Sequence, residues 1–188
     1  MMDYIISDLH INHYNIIKFC NRKFNNIKEH DDTIINNWNT VVNTNDRVFL
    51  LGDIIFTHKQ DEVLSFLLSL NGRLIILLGN HDKPLYKLFY SGKYFNRNNK
   101  IFIAGQIFET KVLINNKYEK VVLSHYPILS WNAKHHNRKH FYGHTHSHIP
   151  YKDLYKNYKE ISAYNVSADI LKFKPRTFDE VIKINTDL

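Results

Sequence analysis

Residues that could bind a cation stand at the end of five separate apolar runs of the sequence. Asp8 and His10 follow YIIS, Asp53 follows VFLL, Asn80 with His81 and Asp82 follows LIILL, His125 follows VVLS, and His144 with His146 follows HFY. Each residue alone has an ordinary structural explanation, such as a helix cap, a turn or a polar surface position. Five coincidences at successive run ends are improbable, so we interpret the five groups as parts of one site.

The side chains in these groups suit a pair of metal ions. The candidate ligands comprise two carboxylates, one amide and four imidazoles: Asp8, His10, Asp53, Asn80, His125, His144 and His146. Oxygen and nitrogen donors without a thiolate favour manganese, iron, zinc or nickel, and we expect two divalent ions with manganese first among these. The set is too large for one ion but sufficient for two if one carboxylate bridges them. Two ions about 3.5–4 Å apart clamp a phosphoester and deprotonate a water near neutral pH.

The first half of the chain predicts elements that would bring these groups together. Strands are predicted at Asp3–Ser7, 47–51 and 73–78, and helices at Asn12–Cys20, Glu29–Asn43 and Asp61–Leu70. This alternation indicates parallel strands covered by helices. Because ligand sites form beyond the carboxyl ends of such strands, residues far apart in sequence can converge there. We expect Gly52, Gly79 and Gly143 to let the backbone turn sharply at those ends.

The second half of the chain has a different pattern. KIFIAG, FETKVLI and YEKVVLS are rich in β-forming residues, and NNK at 115–117 predicts a hairpin turn. Residues 147–160 are predicted to form a loop, and FDEVIKI a last short element. An α/β half followed by a more antiparallel half suggests two sheets packed together.

Length and composition predict one globular domain over residues 1–188. The single cysteine, Cys20, excludes an intramolecular disulfide framework, and its ordinary interpretation is a half-buried small residue on a helix. No signal-peptide pattern follows Met1, and the longest apolar run is too short to span a bilayer, so we expect a cytoplasmic protein without a membrane partner. The net charge of +7, from 25 basic and 18 acidic residues, favours phosphorylated or polyanionic partners, although the lysines are scattered.

Taken together, DLH at 8–10, GD at 52–53, GNHD at 79–82, His125 and GHTH at 143–146 resemble the calcineurin-like metallophosphoesterase family. SDLH followed by His13, NRKF, NWN and the tail NVSADILKFKPRTFDEV at 165–181 is similar to its small single-domain bacterial and phage-type members. The resemblance spans nearly the whole chain. It implies an α/β fold, a four-layer αββα sandwich of two mixed β-sheets flanked by helices, with a dinuclear centre between the sheets.

The resemblance also implies a role for each matched residue. One ion would be bound by Asp8, His10 and His146, the other by Asn80, His125 and His144, and Asp53 would bridge them. His81 would contact the phosphate and protonate the leaving oxygen, oriented by Asp82. Asn80, His13 and Arg22 are expected to contact the substrate, although capping and surface pairing explain His13 and Arg22 about as well. His148 matches no position of the motifs.

Several functions remain open at this point. We expect a phosphohydrolase that cleaves a phosphomonoester or phosphodiester, with a nucleotide or cyclic nucleotide as the substrate type. One alternative is a nuclease on single-stranded RNA or DNA, and an alternative of another class is a non-catalytic scaffold on the same fold. GDIIFTHK at 52–59 lacks the arginine-bearing GDxxDRG pattern of protein phosphatases, so we do not expect protein dephosphorylation. The segment WNAKHHNRKH at 131–140 could be a basic lip that steers a nucleotide, or a solvated loop.

Overall fold

The computed structural model describes residues 1–91, 100–147 and 162–187. Its strands are β1 Asp3–Ile6, β2 Arg47–Leu51, β3 Arg73–Leu77, β4 Ile101–Gly105, β5 Ile107–Ile114, β6 Lys117–Ser124, β7 Lys139–Tyr142, β8 Ala163–Asn165 and β9 Arg176–Thr177. Its helices are α1 Tyr14–Phe19, α2 Ile27–Val41, α3 Gln60–Ser69, α4 Lys83–Tyr90 and α5 Phe178–Thr186, with a short 3₁₀ helix at Lys134–His136. Each helix in the described residues is too short or too polar to span a bilayer.

The first sheet has the strand order β4-β3-β2-β1-β9. Strands β1 to β4 run parallel, with Ile5 opposite Phe49 and Phe49 opposite Ile75, and β9 pairs antiparallel with β1. The apolar side chains of β1 and β2 are almost completely buried, which explains why these strands read as continuous apolar runs. The predicted strand–helix alternation is therefore confirmed.

The second sheet has the order β5-β6-β7-β8 and mixes both kinds of pairing. Strands β5 and β6 form an antiparallel hairpin, whereas β6, β7 and β8 run parallel. Asn115 and Asn116 form the hairpin turn with φ angles of 49° and 61°, as tight turns between antiparallel strands require. The predicted hairpin at NNK is confirmed, and so is the fold class of two mixed sheets with helices.

Helix caps and aromatic packing hold the sheets and helices together. The side chain of Asn26 caps α2 by accepting a hydrogen bond from the Glu29 amide. A capping box between Thr177 and Glu180 starts α5. This places the buried ring of Phe178 against the rings of Phe49 on β2 and Phe141 on β7, at 5.7 Å and 4.8 Å between centroids. Phe178 therefore touches both sheets.

Besides the short 3₁₀ helix, one helix and two strands were not predicted from the sequence. Helix α4 follows directly after GNHD, and Pro84 lies in its first turn, where the missing amide hydrogen costs little. Strands β8 and β9 have three and two residues, too few to show a period. FDEVIKI, predicted only as a short element, is the helix α5. Apart from Ser147, the predicted loop at 147–160 lies outside the described residues, as does His148.

Candidate metal centre

The segments that follow β1 and β2 continue side by side beyond the strands. The amides of Asp8, His10 and Ile11 donate to the carbonyls of Gly52, Asp53 and Ile54, each at 3.0 Å. Asp8, His10 and Asp53 have positive φ angles of 57°, 53° and 52°. Such left-handed conformations are uncommon for residues other than glycine, and they cluster at functional sites. The backbone thus presents these three side chains together at the carboxyl edge of the first sheet.

The first ligand group consists of Asp8, His10 and His146. One ligand atom from each lies within 4.8 Å of the others, and Asp8 and His10 are buried. His10 Nδ1 shares a hydrogen bond with His13 Nδ1 at 3.2 Å, whereas the buried His10 Nε2 has no hydrogen-bond partner among the described residues. Burial holds the pKa of His10 far below its usual range, so its ring is neutral. A neutral ring with an unpartnered buried nitrogen is suited to bind a metal ion.

The second group consists of Asp53, His125 and His144, also within 4.8 Å of one another. His125 Nδ1 donates to the Leu51 carbonyl at 2.8 Å, so Nε2 is the ring nitrogen that could bind an ion. That atom lies 3.1 Å from Asn80 Oδ1 and 3.6 Å from Asp53 Oδ2. A cation among these three atoms would be stabilised by the two oxygens and the ring nitrogen. The donor set therefore fits a metal ion here as well.

Asp53 lies between the two groups. Its Oδ2 atom is 3.6 Å from His10 Nε2 and 3.6 Å from His125 Nε2. Two ligands each about 2.1 Å from a shared ion are separated by about 3.0 Å at a right angle and about 3.6 Å at 120°. Burial, and secondarily the Asp8 carboxylate, raises the pKa of Asp53 to about 6. A cation at either side would offset the cost of burying the charged carboxylate and would favour its ionised form.

The backbone at 143–146 separates the two histidines of GHTH. Strand β7 ends at Tyr142, and His144 and His146 have φ angles of 68° and 49°. They are therefore not on one face of a strand: His146 joins the first group and His144 the second. A Cβ on Gly143 would overlap the Ser7 hydroxyl and lie 2.5 Å from Asp8 Oδ2. Glycine here permits close approach to Asp8.

The expectation that all three glycines provide sharp turns was partly wrong. Of these three glycines, only Gly52, with φ of 83°, has a left-handed backbone. Gly79 and Gly143 are required because a Cβ would collide with site residues, in the case of Gly79 with the carboxylate and amide of Asp53. The physical reason is packing density at the strand ends rather than backbone flexibility.

Asp169 and Arg22 lie directly behind the first group. Asp169 accepts a hydrogen bond from His146 Nδ1 at 2.8 Å, so His146 Nε2 is the ring nitrogen that an ion would bind in place of a proton. Burial disfavours the imidazolium of His146, but hydrogen bonds with Asp169 and Cys20 and the nearby carboxylates outweigh it and raise the pKa of His146 to about 10. Arg22 donates to both oxygens of Asp169, at 3.0 and 2.8 Å.

The environment of Arg22 does not favour its predicted role as a substrate contact. Its side chain is fully buried, and it also donates to the carbonyls of Leu9 and Asp8 at 3.0 and 2.8 Å. Such a guanidinium supports two residues of the first group from behind, and its burial does not favour contact with a substrate. The sequence interpretation overlooked Asp169, although it follows the short run NVSA in the same way that the other candidate ligands follow their strands.

The predicted catalytic pair His81 and Asp82 is arranged differently from the expectation. The side chain of His81 is 43% exposed, and its Nε2 lies 4.0 Å from Asp53 Oδ2. The buried carboxylate of Asp82 instead accepts hydrogen bonds from the amides of Asp53, Ile54 and Gly79, at 2.8, 3.0 and 2.8 Å. Asp82 therefore fixes the backbone of the two ligand loops and does not orient the His81 ring. Burial raises the pKa of Asp82 to about 6 despite these amides.

The remaining predicted contacts lie at the rim of the site. Asn80 is exposed, and its Oδ1 also lies 3.3 Å from the Tyr126 hydroxyl. Tyr126, which was not predicted, packs its ring on His144 at 4.5 Å between centroids. His13 is half-buried and stacks on Phe56.

The basic segment at 131–140 offers less free charge than its sequence indicates. His140 is buried on β7, Arg138 pairs with Glu109 at 2.9 Å, and Lys139 pairs with Glu119 at 2.6 Å. These contacts favour a solvated loop over a basic lip that steers a nucleotide.

Proteins and structures similar to this chain come from one family model and from archaeal, phage and bacterial sources. A family model described as calcineurin-like phosphoesterase matches residues 4–171. An uncharacterized protein of Methanocaldococcus jannaschii is 36% identical over 184 residues, covering 96% of this chain and 89% of that protein. The gene 66 protein of Mycobacterium phage L5 is 30% identical over 159 residues, covering 75% of each. A crystal structure of a protein of unknown function from Aquifex aeolicus has a TM-score of 0.64 and 26% identity, covering 97% of this chain and 98% of that one.

Proposed function

This chain belongs to the calcineurin-like phosphoesterase family, a family of metal-dependent phosphoester hydrolases, and from that premise we propose that it cleaves a nucleotide-like phosphoester at a centre of two divalent ions. The observation that carries the proposal is the position of Asp53. Its Oδ2 atom is equally far, at 3.6 Å, from one histidine of each ligand group. A carboxylate at that position is suited to bridge two ions.

The proposed ligands follow from the two groups. Asp8, His10 and His146 would hold one ion, His125, His144 and Asn80 the other, and Asp53 would contact both. Manganese is the first candidate, with iron, zinc or nickel as alternatives, because the donors are oxygen and nitrogen. Bound divalent ions would supply Lewis acidity and lower the pKa of a water to near neutrality.

His81 is the proposed general acid of the site. Its amide donates to Asp53 Oδ1 at 2.9 Å, which fixes the residue beside the centre, while its ring stays half exposed and accessible to substrate. An imidazole in that position can protonate a leaving oxygen. We propose that Asp82 has an indirect role, because it positions the loops that carry Asp53 and Gly79.

Two observations favour a nucleotide-like substrate and hydrolysis. The net charge of +7 favours anionic ligands, and aromatic side chains lie at the rim of the centre. A non-catalytic scaffold would be expected to have lost ligands or the acid, whereas all these positions are filled here. A nuclease on single-stranded RNA or DNA remains the second candidate, and its activity would fall steeply as salt rises, because a polyanion contacts several cations.

The test is a substrate screen of the metal-reconstituted protein. It should include phosphomonoesters, phosphodiesters, 2′,3′- and 3′,5′-cyclic nucleotides and short RNA and DNA, with metal content measured by mass spectrometry. We expect two ions per chain and hydrolysis in the wild type, with both lost or much weakened in Asp53→Asn. Fewer than two ions per chain together with no hydrolysis of any ester would refute the proposal.

A further inference from the structure

An exposed aromatic surface lies beside the first ligand group. The ring of Phe56 is stacked on the ring of His13, with centroids 4.4 Å apart and planes inclined by only 11°. Phe56 is nevertheless 44% exposed. The His13 ring is 5.3 Å from the ring of His10, and the Phe56 ring is 6.1 Å from that of His81. The stacked pair therefore begins at the edge of the proposed centre.

Hydrogen bonds of the main chain and of side chains fix the loops that carry this pair. The amide of Phe56 donates to the Ile11 carbonyl at 2.7 Å, and the side chain of Asn12 donates to the Phe56 carbonyl at 3.3 Å. The amide of Asn12 in turn donates to Asp31 on α2 at 2.9 Å. The two loops that carry the rings are thus tied to each other and to a helix. A surface that is already ordered loses little entropy when a ligand binds.

A third ring extends this surface. Phe19, at the end of α1, is 64% exposed, and its ring lies 6.3 Å from that of His13. We call His13, Phe19 and Phe56 the aromatic shelf. Two exposed phenylalanines in one patch are unfavourable in water, and such patches mark binding sites more often than chance positions do.

We propose that the aromatic shelf binds the nucleobase of the substrate by stacking, an inference that rests on the proposed function. A nucleotide joins an anionic phosphate to a flat aromatic base through one sugar. The centre and the shelf offer partners for these two parts side by side, since His13 contacts both His10 and Phe56. Base stacking on aromatic side chains contributes about fivefold to a hundredfold in affinity per base. Phe56, the more exposed residue of the stacked pair, is the residue that would determine this preference.

The test compares two ligands that differ only in the base. The full-length, metal-loaded protein is titrated by calorimetry with thymidine 5′-monophosphate and with 1,2-dideoxyribose 5-phosphate, which lacks the base. The wild type should bind the nucleotide at least about fivefold more tightly. Phe56→Ala should abolish that preference and leave the base-free ligand unchanged, whereas Phe56→Tyr should keep it. Phe102→Ala is the matched control, because Phe102 on β4 is also 44% exposed and packs on Phe108.

The outcomes separate this inference from the proposed function. The base-binding role would be overturned if the wild type bound the two ligands with equal dissociation constants. It would also be overturned if Phe56→Ala lowered the affinity for both ligands by the same factor. Failure of both ligands to bind would overturn the inference as well, whereas the proposed hydrolysis is judged separately by the substrate screen. If Phe56→Ala does not fold, Phe19→Ala and the wild-type ligand pair still decide the question.

Discussion

The substitution Asp169→Asn tests how the first ion would be held. The Asp169 carboxylate accepts from His146 Nδ1 on one side and from two nitrogens of Arg22 on the other. Asparagine has nearly the same shape but only one acceptor oxygen, so its amide group must face either His146 or Arg22, which are both donors. The substitution therefore removes one or more of three charge-assisted hydrogen bonds without creating a cavity.

The expected magnitude follows from these contacts. Loss of a partner that orients a ligating histidine costs about 10- to 100-fold in metal affinity, or about 1.4–2.7 kcal/mol. Breaking a buried ion pair costs about 3–5 kcal/mol of stability when the remaining charge has no other partner. Arg22 keeps the carbonyls of Leu9 and Asp8, so we expect the loss of stability to be below that range.

The assay is a metal titration in backgrounds that isolate each group. In a His125→Ala background, which lacks a ligand of the second group, Asp169→Asn should lower the affinity for the remaining ion by about 10- to 100-fold. With His10→Ala, which removes a ligand of the first group, Asp169→Asn should change the affinity by less than about threefold, since effects at separate sites are nearly additive. Asp61→Asn, at an exposed position of α3, serves as the control.

Two results would contradict the reasoning. If Asp169→Asn lowered the affinity for both ions equally, Asp169 would act on the fold as a whole and not on His146. If it lowered the affinity for neither ion, the contact with His146 would contribute nothing to metal binding. Thermal unfolding of the metal-free variants would show whether a change in stability accompanies either result.

Three further substitutions test other parts of the site and fold. His81→Ala should retain two ions by mass spectrometry but lose about 10²- to 10⁴-fold in kcat, and unchanged turnover would exclude it as the acid. Gly143→Ala should lower the free energy of unfolding, measured in urea, by about 1–3 kcal/mol and should lower the affinity for the first ion, because the new Cβ would overlap Ser7 and crowd Asp8. Unchanged stability of this variant would refute the close packing at Gly143. Burial lowers the pKa of His140 to about 4, against 6.5 in the unfolded chain, so the unfolded chain binds a proton more readily than the folded protein. The free energy of unfolding should therefore fall by up to about 3 kcal/mol as pH falls from about 6.5 to about 4. In His140→Gln, urea unfolding of the metal-free protein should show a smaller loss between pH 7 and 4.5, and an equal loss would exclude His140 as its source.

The parts of the fold that the sequence predicted well are those buried on both sides. The strands at 47–51 and 73–78 are enclosed in a parallel sheet, so their apolar residues form unbroken runs with clear ends. Because such ends lie at one edge of the sheet, the polar residues after them could be grouped from the order of the runs alone. Their convergence on two clusters follows from the same rule.

The parts that could not be predicted depend on contacts between distant residues. An arginine such as Arg22 is expected at the surface, and its burial depends on the pairing with Asp169, which lies 147 positions away. Asp82 follows His81 directly, which suggests a contact between them, yet three amides on neighbouring loops take up its carboxylate. Neither arrangement has a periodic signal in the sequence. Strand β8, which delivers Asp169, is too short to show one.

The backbone at the ligand positions explains why the site needs so many supporting contacts. Asp8, His10, Asp53, His144 and His146 all have left-handed φ angles, each of which costs about 1–3 kcal/mol for a residue other than glycine. These kinks direct side chains from neighbouring loops toward one point, which an extended strand with alternating faces could not do. The same convergence brings the Asp8 and Asp53 carboxylates together, at a further electrostatic cost. The paired loop amides, the buried Asp82 and the Arg22–Asp169 pair offset these costs. The surrounding protein therefore supports the arrangement of these five side chains.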